Sequence, residues 1–201
     1  MKRRYHSLIL ISFVLVVLIS CGGTGGAPGS DTGDTGIMIQ SATLSRTSPD
    51  IDTVRDCCSF DTATNTCATL EVFTREDVDL TVTTSNLTPT ITSDQFPASV
   101  EECTITYIKA NEDPAAPIIE KLTIFPNCIL NEGSNTCSVT LIDIARKGQY
   151  AIPVFVNRTS VPAEQPTHYV AKLSCSYINN FGKAGHFEAE IDLWLSNFDN
   201  C

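Results

Sequence analysis

Tyr169-Val170-Ala171-Lys172-Leu173-Ser174-Cys175-Ser176-Tyr177 and Phe187-Glu188-Ala189-Glu190-Ile191-Asp192-Leu193-Trp194-Leu195 both alternate apolar with mostly polar or charged residues. A period of two puts one set of side chains on each face, so each run is a half-buried strand. Between them Asn179-Asn180-Phe181-Gly182-Lys183-Ala184-Gly185 holds the asparagines and glycines that a tight reversal needs, and the two strands are expected to pair as a hairpin.

Working outward, weaker strand patterns occur at Met38 to Ser45, Ala68 to Phe73, Val78 to Thr84, Thr104 to Ile108, Lys121 to Phe125, Ser138 to Ile144 and Tyr150 to Val156. Their Thr, Val and Ile are β-branched and suit a pleated sheet better than a helix. Only Asp143 to Lys147 suggests a helical turn. About nine strands with turn signals between them predict an all-β, antiparallel sandwich. Leu141, Ile144, Gly148, Tyr150, Ile152 and Val154 resemble the stretch of immunoglobulin-like domains that leads through a tyrosine corner into a core strand. That resemblance implies an immunoglobulin-like sandwich. It departs from the family pattern at Ile152, which stands where the second core Cys of a true immunoglobulin domain would be.

The N-terminus carries a different signal. Lys2, Arg3 and Arg4 precede an apolar run from Leu8 to Ile19, too short to span a bilayer and typical of a secretory signal. The run ends in Leu18-Ile19-Ser20-Cys21, which resembles the lipobox of bacterial lipoproteins. The resemblance implies cleavage before Cys21, a diacylglycerol thioether on its sulfur and an N-acyl chain such as palmitate, so that the membrane is reached through lipid on Cys21. Gly22 follows the Cys, which by the same resemblance implies sorting to the outer membrane of a bacterial envelope. The expected organisation is a signal peptide over 1–20, a Gly-rich flexible tether over 21–36 and a sandwich over 37–201. Seven of the eleven glycines lie in that tether, which holds too little apolar surface to offset the entropy of ordering. Asp31 and Asp34 within it match no calcium-loop spacing.

Removing Lys2, Arg3 and Arg4 with the signal leaves ten cationic against 23 acidic residues, a formal charge of −13. Such a surface repels nucleic acid and anionic headgroups, so no nucleic acid is expected as partner.

Beyond Cys21 the chain has eight cysteines, Cys57, Cys58, Cys67, Cys103, Cys128, Cys137, Cys175 and Cys201. An even number in an exported chain points to disulfides. From Cys58 to Cys128 the intervals are 9, 36 and 25 residues, and from Cys128 to Cys201 they are 9, 38 and 26. Asn65-Thr66-Cys67 recurs as Asn135-Thr136-Cys137, so a period of about 70 residues suggests an internal duplication within one sandwich. Equivalent clips Cys58–Cys67 and Cys128–Cys137 would then leave Cys57–Cys103 and Cys175–Cys201, one of 105 possible connectivities. No Cys pair has the short gap of zinc ligands, and neither C-x-x-C nor C-x-x-C-H occurs, so no metal, thioredoxin-type centre or covalent haem is expected.

Catalytic motifs are absent from the sequence: there is no G-x-S-x-G elbow, H-E-x-x-H helix or phosphate loop. His168 and His186 are expected at opposite ends of the closing hairpin. Glu101-Glu102 and Glu188 with Glu190 read as solvated strand positions, and Asn86-Leu87-Thr88 and Asn157-Arg158-Thr159 as unused glycosylation acceptors. No catalytic residue and no cofactor are assigned. The expectation is a non-catalytic binding or structural lipoprotein whose Thr88 to Ala98, Ala110 to Ala116 and Asn157 to Thr167 loops meet an envelope or surface protein or a glycan at one sandwich end. The alternative is an envelope enzyme or accessory subunit with a site assembled from distant residues.

Overall fold

The structure, a computed structural model, describes residues 29–31, 34–48, 50–53, 57–71, 74–87, 94–110, 117–150, 166–196 and 198. The signal peptide, Cys21, Cys201, the segment 151–165 and most of the Ala110 to Ala116 loop lie outside the described residues, as does the expected strand beyond Tyr150.

The described chain is mostly β. A three-stranded sheet has the order β1 (Ile37–Ser45), β5 (Glu76–Asn86), β9 (Gly133–Ile142). A larger sheet runs β2 (Asp50–Asp52), β11 (Ala184–Ser196), β10 (Thr167–Ile178), β6 (Ala98–Lys109), β7 (Leu122–Ile124), with β8 (Cys128–Leu130) also on β6. A separate hairpin joins β3 (Cys57–Asp61) to β4 (Thr66–Leu70), and α1 (Ile144–Tyr150) follows β9. Eleven strands thus stand where about nine were expected. Three of them, β2, β3 and β8, were not anticipated, because three to five residues carry too few periods to be read. The pairings are antiparallel except β2 with β11, where Asp50 to Asp52 run parallel to Trp194 to Ser196.

The closing hairpin has the expected register: Leu173 lies opposite Ala189, and Tyr169 opposite Leu193. Tyr169, Leu173, Tyr177, Phe187, Leu193 and Leu195 are fully buried, while Ser174, Ser176, Glu190 and Asp192 face solvent. Ile37 and Ile39 of β1, Leu80 and Val82 of β5 and Val139 and Leu141 of β9 join the inward side chains of β6, β10 and β11 in one apolar cluster. Each such aliphatic or aromatic side chain contributes about 1.5 to 3 kcal/mol on burial, so the two inward faces form the principal source of stability.

The Gly-rich segment does not remain a tether up to residue 36. Thr35 is fully buried, and Asp31 exchanges both backbone hydrogen bonds with His186 at 3.0 and 3.2 Å. Composition alone hid this, since a small polar residue such as Thr35 is ordered by its contacts with the domain and not by its own apolar area. Tyr150 closes α1 and does not open a strand, so the expected strand start there is corrected.

The cysteines pair as Cys57–Cys67, Cys103–Cys175 and Cys128–Cys137. Cys58 is disulfide-bonded as well, to a residue outside the described set. Cys128–Cys137 matches the expected clip, whereas Cys58–Cys67, Cys57–Cys103 and Cys175–Cys201 are replaced. The reason is register: Cys103 and Cys175 are directly opposite on β6 and β10, and their Cα atoms are 4.1 Å apart. The duplicated spacing has no architectural counterpart either. Asn65-Thr66-Cys67 lies in the peripheral β3–β4 hairpin, while Asn135-Thr136-Cys137 lies in the core strand β9.

Candidate functional surface

Of the loops expected to form one recognition surface, residues 88–93, 111–116 and 157–165 lie outside the described residues. Gln95 to Pro97 lie beside the β10–β11 turn, where Asn180 donates to the Gln95 carbonyl at 3.3 Å. Ala110 donates to the His168 carbonyl at 3.0 Å, at the far end of the same strands. The described ends of these segments, Gln95 to Pro97 on one side and Ala110 on the other, are therefore separated by the length of β10.

At the turn end, Asn179 is the organising residue. It is 4 % exposed, and its Nδ2 donates to the Thr35 carbonyl at 2.8 Å and to Gln95 Oε1 at 3.0 Å. Its Oδ1 accepts from the Phe181 and Lys183 amides at 2.9 and 2.8 Å. One amide side chain thus ties three connections together. Thr35 Oγ1 lies 3.2 Å from the Tyr177 hydroxyl, and burial pushes the Tyr177 phenol above its ordinary value. The Asn179 turn signal was legible in the sequence; its partners at Thr35 and Gln95, more than 80 residues away, were not.

The opposite end carries a charge cluster that sequence reading missed. Glu76, at the start of β5, accepts from Lys147 of α1 at 2.6 Å and from Arg46 at 3.3 Å. Lys147 is 2 % exposed, so the carboxylate offsets part of the cost of burying its ammonium. Arg146 bonds Asp143 at 2.6 Å and the Lys121 carbonyl at 2.7 Å, fixing α1 against the chain before β7.

The outer face of the large sheet lies between these ends. His168 stacks on Trp194 with ring centroids 4.4 Å apart, and its Nε2 is 2.7 Å from Asp192. Lys172 bonds Glu188 at 2.8 Å, and this pairing raises the Lys172 pKa. His168 pairs opposite Trp194 and His186 opposite Ser176, so the two histidines stand eight strand positions apart on β10. Among the described residues no three His, Cys, Asp or Glu side chains are gathered where they would hold a metal ion. Glu101 and Glu102 are both exposed on β6, where a register shift occurs opposite Ser176 and Tyr177.

Comparison with protein-family models, with curated proteins and with solved structures finds no match to this chain.

Proposed function

We propose that this chain is a lipid-anchored protein of a bacterial envelope, with lipid on Cys21 and an immunoglobulin-like sandwich in a non-catalytic binding or structural role. The observation that carries the domain reading is the strand order. A β1-β5-β9 sheet together with the β11-β10-β6-β7 part of the six-stranded sheet resembles the two-sheet division of immunoglobulin-like sandwiches, with β5 to β6 and β9 to β10 crossing between sheets and β10 to β11 closing as a hairpin. The immune-type markers are not carried over. Cys103–Cys175 joins neighbouring strands of one sheet, and Leu173 stands two residues before the second Cys in place of a corner tyrosine.

The lipid reading is supported by Leu18-Ile19-Ser20-Cys21 behind its basic and apolar run. With residues 29–31 seated on β11, seven residues separate Cys21 from Gly29, and a Gly-rich coil of that length reaches on the order of 15 Å. The domain would therefore stand close to the membrane, with most of its surface directed at envelope proteins or glycans. Metabolic labelling with radioactive palmitate tests this: wild type should incorporate label and Cys21→Ala should not. Equal labelling of both, or detergent partitioning unchanged by the substitution, removes the anchor from the proposal.

A further inference from the structure

Exposed apolar side chains gather where the large sheet meets the β10–β11 turn. Ile178 of β10 lies opposite Ser99 of β6, and Ser99 lies opposite Ile129 of β8. Ile178 and Ile129 therefore share a row on the outer face and are 37 and 50 % exposed. Phe181, in the turn that follows β10, is 56 % exposed. Its amide donates to Asn179 Oδ1 at 2.9 Å, so the turn that presents the ring is already ordered and has little conformational entropy left to lose on contact. Leu87, whose amide donates to the Gly36 carbonyl at 2.8 Å, is exposed at the same end of the three-stranded sheet. Clustered apolar exposure of this kind marks an interaction surface.

What this surface meets is decided by where the chain toward Cys21 leaves the domain. Asp31 pairs with His186 on the side of β11 away from β10, two residues from Ala184, which lies opposite Ile178. Neighbouring strands stand about 4.8 Å apart, so Asp31 lies roughly 10 Å across the sheet from β10. A Cβ on Gly29 would run into the carboxylate of Glu188, whose side chain lies on the outer face in its ion pair with Lys172. Gly29 therefore stands against the same face as the apolar row. Seven residues separate it from Cys21, a reach on the order of 15 Å. The end that carries α1 is roughly 40 Å away along the twelve residues of β10, beyond that reach. We infer that the Ile129–Ile178 row, with Phe181 and Leu87, rests on the headgroup layer of the phospholipid bilayer that holds the Cys21 lipid, and so fixes the orientation of the domain on the membrane. The inference rests on the lipid-anchor reading, because only a short tether brings the turn end to the bilayer. Apolar side chains enter the boundary between headgroups and acyl chains to a depth of about 5 to 10 Å. The exposed charges at this end, Lys183 with Asp94 and Glu132, are of both signs and the chain as a whole is acidic, which suits a zwitterionic surface and not an anionic one.

Tryptophan quenching tests the inference on the full lipidated chain, reconstituted in vesicles of phosphatidylcholine brominated on its acyl chains. Phe181→Trp should show blue-shifted emission that the bromines quench, over the background of Trp194, the single tryptophan of the chain. Ile144→Trp, exposed on α1 at the other end, should show no such loss. Adding Ile129→Asp and Ile178→Asp to Phe181→Trp should abolish the quenching while palmitate incorporation stays unchanged. Thermal melts of each variant report folding independently. A folded, palmitate-labelled Phe181→Trp protein quenched no more than Ile144→Trp would overturn the inference and leave the lipid anchor standing. Quenching that survives the double aspartate substitution would do the same. Absence of palmitate from the wild type would remove the anchor and the inference together.

Discussion

Lys147 Nζ on α1 lies 2.6 Å from Glu76 Oε1 at the start of β5, and the lysine side chain is 3 % exposed. The same carboxylate receives Arg46 from the end of β1, so a single anion holds two cations and joins the helix to the three-stranded sheet. Glu76→Gln would remove the carboxylate shared by the buried Lys147 ammonium and Arg46, and breaking a buried ion pair typically costs about 3 to 5 kcal/mol. Lys147→Met keeps similar volume and leaves Glu76 paired with Arg46, so its cost should be well below that. Urea midpoints for the two variants check the order. Equal losses would show that the pair acts through volume alone.

Gly185 and Gly182 flank Lys183 for different reasons. A Cβ on Gly185 would stand 2.5 Å from the Tyr177 ring, whose hydroxyl is held by Thr35. Gly182 has φ +71 and open space around it. Gly185→Ala should cost about 1 to 3 kcal/mol through overpacking. Gly182→Ala should cost about 1 kcal/mol through backbone strain. Gly185→Ala combined with Tyr177→Ala should recover none of the ring's lost burial but should abolish the extra penalty of Gly185→Ala. A double-mutant cycle with no coupling would refute the contact.

On β11, Leu193 is fully buried and Glu190 faces solvent. Leu193→Asp places an unpaired charge in the shared core, a cost comparable to a domain's whole stability of about 5 to 15 kcal/mol. Glu190→Ala should stay within about 0.5 kcal/mol. Thermal denaturation of the pair is the measurement, and similar small shifts for both would mean that the register is displaced by one residue.

The disulfides should differ in worth according to the chain they close. Cys103–Cys175 spans 72 residues and lies within the core, while Cys57–Cys67 spans 10 and clips the peripheral hairpin. Loop-closure entropy gives roughly 4 kcal/mol for the first and under 3 for the second. Cys103→Ala with Cys175→Ala should therefore lower the unfolding midpoint more than Cys57→Ala with Cys67→Ala. Peptide mapping without reduction should recover the three described pairs. A Cys58–Cys67 peptide would instead restore the spacing-based pairing.

What the sequence determined by itself is local. Strict alternation through Tyr169 to Tyr177 and Phe187 to Leu195 specified two strands, and Asn179 to Gly185 specified their reversal, because side-chain period and positive-φ turn residues act over a few neighbours. Composition likewise marked an acidic, disulfide-bonded β chain. Only the tertiary structure decided which cysteines meet, since pairing requires Cα atoms within about 7 Å and the Cys103–Cys175 approach is created by the β6–β10 register. It also decided that Thr35 belongs to the core, that Glu76 collects Arg46 and Lys147, and that Ile129 and Ile178 share a row across three strands. These residues are 30 to 144 positions from their partners, and no local pattern encodes a contact whose existence depends on two sheets closing over one core.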